Sequence, residues 1–114
     1  MNVLFCSCVI LINKQNRVLI SQRPHGKFMD GFWEFPGGKV KNLEKFNDAA
    51  VRELKEELGV TLDTKNLTFL MNIFYKYPEY YLSMQVYFVD KWKGNVKSLE
   101  KQKFNWVKKE TLKE

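Results

Sequence analysis

Histidine is almost missing from these 114 residues: His25 is the only one. That removes metal centres built on several imidazoles and leaves little for a histidine-dependent nucleophile. Cysteine is nearly as scarce. Cys6 and Cys8 stand one residue apart, would point the same way on a strand, and lack a second Cys/His pair to complete a zinc site. No apolar run approaches the roughly 18 to 20 residues of a membrane-spanning helix. The run at residues 3–12 has only Met1 and Asn2 before it, with neither a basic leader nor a small-residue cleavage site, so it reads as a strand. The expectation is a soluble, reduced, cytoplasmic protein with no membrane partner.

What is present supports one domain over residues 1–114. Apolar residues make up 45% and aromatics 15%, enough for a core and too much for a disordered chain. The net charge of +6 is uneven: from Lys91 onward eight lysines face three glutamates, leaving only one net positive charge to the first ninety residues. Such an end suits an anionic partner such as nucleotide phosphate, or simply a solvated surface. Nucleic acid is the less favoured partner, and the oligomeric state stays open.

No repeat, low-complexity tract or linker interrupts the chain. Residues 3–12 suit a strand buried on both faces, 13–16 a turn, and 18–21 a returning strand. An irregular stretch rich in Gly, Pro and aromatics follows from Arg23 to Gly38. Ala50, Val51, Leu54 and Leu58 give residues 47–58 a helical stripe, which Gly59 is suited to end. Two alternating segments, one presenting Leu67, Phe69, Met71 and Ile73 and the other Leu82, Met84, Val86 and Phe88, predict an antiparallel hairpin through Pro78. Residues 104–107 suit a last short strand. One helix against a mixed sheet predicts an α/β (α+β) fold, an α/β/α sandwich.

The helix has a second face that packing does not explain. Glu53, Glu56 and Glu57 fall at i, i+3 and i+4, so their carboxylates gather on one side. Lys55 lies elsewhere, while Arg52 precedes Glu56 by four positions. A hard cation such as Mg2+ would neutralise the cluster through oxygen ligands; an ordinary charged helix face is the alternative.

The surroundings of that cluster change the balance. From Gly38, five residues lead to Glu44, and seven more to Arg52-Glu53-Leu54; after one residue come Glu56-Glu57, and after another Gly59-Val60. This is the pattern G-x5-E-x7-R-E-U-x-E-E-x-G-U, U being apolar, with all nine specified positions met over residues 38–60. With Trp33-Glu34-Phe35-Pro36-Gly37 before it, the chain resembles the MutT-like branch of the Nudix hydrolases. Gln22-Arg23-Pro24, Trp92-Lys93-Gly94 and Glu100 six residues before Trp106 extend the resemblance over nearly all the chain.

The resemblance implies roles. Glu53, Glu56 and Glu57, with the carbonyl of Gly37 and with Glu100 from a distant loop, would bind Mg2+, for which Mn2+ can substitute. Glu53 is the foremost general base, with Glu44 or Glu100 as alternatives, and Arg52 would clamp the carboxylates rather than touch substrate. Arg23 and Lys39 are candidate phosphate partners. Ligand contacts would run along Glu34, Phe35, Pro36, Gly37 and Gly38. Leu4, Cys6, Phe35, Leu82 and Met84 match positions lining a nucleoside pocket, or are plain core. Trp33 and Trp92 read as packing.

Some positions depart from the family pattern. Lys41 and Leu43 stand where Glu and Gly are common, and Lys45 where a capping Thr is common, leaving Asn47 to cap the helix. The chain is expected to lack the C-terminal helix of MutT-like proteins, which would leave part of the sheet uncovered. The implied activity is Mg2+-dependent hydrolysis of a nucleoside triphosphate, oxidised dGTP foremost, to monophosphate and pyrophosphate by attack at the β-phosphorus. Action on another nucleoside diphosphate derivative, or nucleotide binding without turnover, are the alternatives.

Overall fold

Burial decides which strand takes the centre. β1 (Asn2–Leu11) is buried from Ser7 to Val9 and again at Leu11, so this half is covered on both faces. Its first half is not: Val3 and Phe5 are each 46% exposed, and burial of the whole run on both faces does not hold. The computed structural model describes residues 2–22 and 33–113.

Beside β1, the ten residues of β6 (Tyr80–Val89) run parallel, from Tyr80 opposite Asn2 to Val89 opposite Leu11. On its other side β4 (Gly37–Lys39) pairs antiparallel, setting Gly37 opposite Cys8 and Lys39 opposite Cys6. β5 (Thr68–Lys76) forms the outer edge against β6, through the expected hairpin. A second sheet has the order β3-β2-β7, built from β2 (Arg17–Gln22), β3 (Trp33–Glu34) and β7 (Phe104–Lys108). The turn after β1 is held by Asn13, whose side-chain oxygen accepts from the main-chain N–H groups of Gln15 and Arg17. The chain returns along β1 only as far as an Ile12–Val18 bridge before β2 joins the other sheet.

The helix α1 (Phe46–Leu58) buries Ala49, Ala50, Leu54 and Leu58. Ala50, Leu54 and Leu58 pack with Val9, Leu11, Leu19, Val60, Leu62, Tyr87 and Val89 in one core that joins both sheets. Each fully buried leucine contributes roughly 1.5–3 kcal/mol, and Leu54→Ala would cost about 2–5 kcal/mol. Ser7 donates its hydroxyl to the Phe46 carbonyl at 2.7 Å, tying the start of the helix to β1. Lys45 is the N-cap and makes no side-chain cap; Asn47 lies inside the first turn and so does not cap the helix as expected. Gly59 ends it in the left-handed region at φ 73°, its N–H reaching the Lys55 carbonyl.

The shared face expected on β5 is broken. Phe69 pairs with Tyr87, but Met71 pairs with Val86, because a bulge at Leu70 inserts one residue. Adjacent β6 residues face opposite ways, so Phe69 falls on the helix side and Met71 and Ile73 on the other. Among the described residues no helix is long and apolar enough to cross a membrane.

Candidate active site

The segment that leads into α1 is shaped by two glycines. Gly37 has φ 153°, and a Cβ there would overlap the Ser7 carbonyl oxygen and the Cβ-bearing backbone of Cys8. A Cβ on Gly38 would instead land on the carboxylate of Glu53. Both glycines thus let β4 lie flat between β1 and the carboxylate face of the helix. Pro36 just before them is buried, and its carbonyl accepts from the Val9 N–H at 2.9 Å.

Arg52 organises the outer carboxylates. Its Nε and Nη2 reach the two oxygens of Glu44 at 2.9 and 3.1 Å. Nη1 donates to Glu53 at 2.9 Å and Glu56 at 3.1 Å, and Nη2 also donates to the Lys39 carbonyl at 2.8 Å. All five guanidinium N–H groups are thereby used. The Arg52 hydrogen bonds, with one from the Lys41 N–H, hold Glu44 down at about 2. The same contacts, led by Glu44, keep Arg52 more firmly charged than usual.

A groove of about 140 Å³ lies beyond this network, lined by Ser21, Gln22, Glu34, Gly37, Glu53, Glu57, Glu100 and Gln102. Here the carboxylates crowd. Burial pushes Glu57 up to about 9, aided by its hydrogen bond with Glu53 and by the charges of Glu53 and Glu100, while the Gly37 N–H works the other way. Glu100 arrives from 43 residues beyond Glu57 because its loop docks on the helix end: Lys97 N–H bonds the Leu58 carbonyl at 2.9 Å and Leu99 N–H the Glu57 carbonyl at 3.0 Å.

The structure therefore gathers Glu34, Gly37, Glu53, Glu57 and Glu100 at one groove, and Glu44 and Glu56 around Arg52 instead. Among the described residues no three acidic, histidine or cysteine side chains already close as a metal cage, since Arg52 shares Glu53 and draws Glu56 away. The groove's donors are nonetheless all hard oxygens in negative excess, which suits Mg2+. Leu4 and Cys6 sit beside Leu82 and Met84 in register on the sheet face away from α1, all half-buried. Phe35 is half-buried and Lys39 exposed; Arg23 lies outside the described residues. Trp33 is 46% exposed rather than packed, whereas Trp92 stacks on Trp106 at 6.1 Å. Burial pushes the Cys8 thiol up to about 12, which leaves it inert as a nucleophile. Two larger grooves, of about 520 and 450 Å³, flank Trp92 and contain none of these carboxylates. Ser21 and Gln102 line the acidic groove although the sequence did not single them out; Gln22, beside them, was marked only through the Gln22-Arg23-Pro24 resemblance.

The NUDIX domain family profile matches residues 6–114. The chain belongs to the Nudix hydrolase family. This Nudix hydrolase is 37% identical over 87 residues to an 8-oxo-dGTP diphosphatase of Proteus vulgaris, covering 76% of each chain. Over 50 residues it is 46% identical to a CTP pyrophosphohydrolase of Escherichia coli (strain K12), covering 44% of this chain and 37% of that one. A solved structure of MutT, from a study of the Aliivibrio salmonicida and Vibrio cholerae proteins, superposes with a TM-score of 0.78 at 32% identity, covering 94% of this chain and 81% of the other.

Proposed function

We propose that this Nudix hydrolase is a divalent-metal-dependent nucleoside triphosphate pyrophosphohydrolase, with oxidised dGTP as its foremost substrate. The observation that carries the reading is the gathering of Glu53, Glu57 and Glu100 in one groove, where burial first, and the neighbouring carboxylates after it, raise Glu57 to about 9. A hard divalent cation resolves that repulsion, and a polyphosphate is the anion that such a cation would bring.

Glu53, Glu57 and Glu100, with Glu56 once released from Arg52 and with the Gly37 carbonyl, would hold Mg2+ or Mn2+. The ion's contribution is to neutralise phosphate charge at the reacting phosphorus. Glu53 and Glu100 face the groove, so either can accept the proton of an attacking water. Glu44 is a weak base at about 2 with both oxygens on Arg52, and it acts as the anchor of Arg52. The water oxygen bonds to the β-phosphorus, the bond from that phosphorus to the α–β bridging oxygen breaks, and monophosphate and pyrophosphate leave. Lys39 and Arg23 would meet the phosphates, and the face of Leu4, Cys6, Leu82 and Met84, with Phe35, the nucleoside.

The likeness to a CTP pyrophosphohydrolase favours a pyrimidine triphosphate as the second reading. A panel of oxidised and normal (d)NTPs, with and without Mg2+, followed by pyrophosphate release, separates the two. Hydrolysis in isotope-labelled water should place the label in pyrophosphate. No metal-dependent turnover by folded protein, or label in the monophosphate, would overturn the corresponding part of the proposal.

A further inference from the structure

Gln102 lies in the loop that delivers Glu100, and it is 6% exposed. Its side-chain amide is used at both ends. Nε2 donates to the main-chain carbonyl of Glu57 at 3.1 Å, while Oε1 accepts from the main-chain N–H of Glu100 at 3.0 Å. The Ser98 hydroxyl lies 3.0 Å from the same Oε1 and also against the main-chain carbonyl of Gln102. One planar amide therefore spans the backbones of two of the four glutamates that line the groove. Among the described residues no buried side-chain polar atom is left without a partner.

Between Glu100 and Gln102 the chain turns through a single strained residue. Lys101 takes φ 61°, a left-handed conformation that a side chain with a Cβ disfavours. A conformation of that kind persists only where its surroundings over-determine it. The surroundings are the Gln102 amide on one side and the docking of Lys97 and Leu99 on the helix end on the other. Those two main-chain contacts do not involve the Gln102 side chain. Removing the amide takes away the acceptor of the Glu100 N–H, while the Lys97 and Leu99 contacts and the Ser98 hydroxyl on the Gln102 main-chain carbonyl remain.

We propose that Gln102 is a positioning residue: its amide latches Glu100 to the helix end and so sets the Glu100 carboxylate against Glu53 and Glu57. The inference rests on the reading of that groove as the catalytic, metal-binding site. A glutamine suits the task because one end must donate to a carbonyl and the other must accept from an N–H; neither a carboxylate nor an apolar side chain does both. Asparagine is one methylene too short to reach both backbones.

A double-mutant cycle tests it, with Mn2+ binding followed by electron paramagnetic resonance and turnover measured on a nucleoside triphosphate. Gln102→Leu should weaken Mn2+ binding about three- to tenfold and lower kcat about tenfold, with KM changed less than twofold. In a Glu100→Gln background the same change should move each quantity less than twofold, because the group it positions is already altered. Equal losses in both backgrounds would overturn the latch and leave Gln102 a merely structural residue. A readout without metal or substrate is amide hydrogen exchange. In Gln102→Leu the Glu100 N–H should exchange at least tenfold faster while the Lys97 and Leu99 N–H groups keep their protection. Unchanged protection at Glu100 overturns the latch whatever the activity shows. If Gln102→Leu does not fold, Gln102→Asn is read in the same way. Wild-type protein that neither binds Mn2+ nor turns over would sink the functional reading instead, and the exchange result would still decide the latch.

Discussion

Glu44 and Arg52 face each other as a two-point pair, Nε to Oε2 at 2.9 Å and Nη2 to Oε1 at 3.1 Å. Seven residues of loop and helix separate them, and the pair fastens the loop after Gly38 to the helix face. The sign of its pH dependence follows from Glu44, whose value falls from an ordinary 4.5 to about 2. Its stabilisation is complete above 4.5 and is lost as the pH drops from there toward 2. Urea denaturation should therefore find Glu44→Gln less stable than wild type at pH 6, with the gap closing by pH 2.5. Both side chains are partly in solvent, so the gap should also shrink in high salt. A gap independent of pH would mean that Glu44 acts by packing alone.

Glu57 gives the opposite slope. In metal-free protein it titrates at about 9 against an ordinary 4.5, so the folded state keeps a proton that the unfolded chain has released between those values. Stability must then fall as pH rises through that window. Melting temperatures should therefore decline steadily from pH 6 to pH 9. Glu57→Gln should flatten the decline and lower turnover by orders of magnitude. Mg2+ must displace the proton, so it should raise the melting temperature more at pH 8.5 than at pH 6 and release protons on binding. An Mg2+ effect equal at both pH values would remove Glu57 from the metal site.

How much of this was legible in the chain follows from how local each relation is. The carboxylate face of α1 was readable because i, i+3 and i+4 positions meet on any helix, and Gly59 announced its end. The Leu70 bulge was not, since it exists only in the pairing of β5 with β6 and reverses the face of every residue beyond it. Asn47 looked like a cap because its residue type caps helices, but the tie between Ser7 and the Phe46 carbonyl marks a helix that begins one residue earlier. Glu100 was readable by its place in a family pattern. Gln102 was not, because its partner, the Glu57 carbonyl, is a backbone atom 45 residues away.

Leu43 offers a stability test away from the chemistry. It holds φ 66° and is 97% exposed, so it carries the strain of a left-handed residue without packing in return. The family pattern often has glycine there, and glycine adopts this conformation without steric cost. Leu43→Gly should therefore stabilise the protein by about 1 kcal/mol, less the entropy that glycine loses on folding. A melting temperature raised by a few degrees with unchanged kcat is the expected result. A fall would show that the entropy glycine loses on folding outweighs the backbone strain relieved at this position.

Gly37 and Gly38 are neighbours whose replacement should fail in different ways. An alanine methyl at 37 would overlap the Ser7 carbonyl and the Cys8 backbone, and neither can move without pulling β4 off β1. Its φ of 153° adds a second penalty. Gly37→Ala should therefore lose several degrees of melting temperature or fail to fold. At 38 the methyl meets only the carboxylate end of Glu53, a flexible side chain that can swing aside. Gly38→Ala should melt within a few degrees of wild type, yet a displacement on the order of 1 Å at a reacting group is worth about 100-fold in rate. A kcat reduced by roughly that factor, with near-normal circular dichroism, would place Glu53 at the chemistry. Full activity in Gly38→Ala would show that the position of this carboxylate is not critical, and the assignment of Glu53 as base would pass to Glu100.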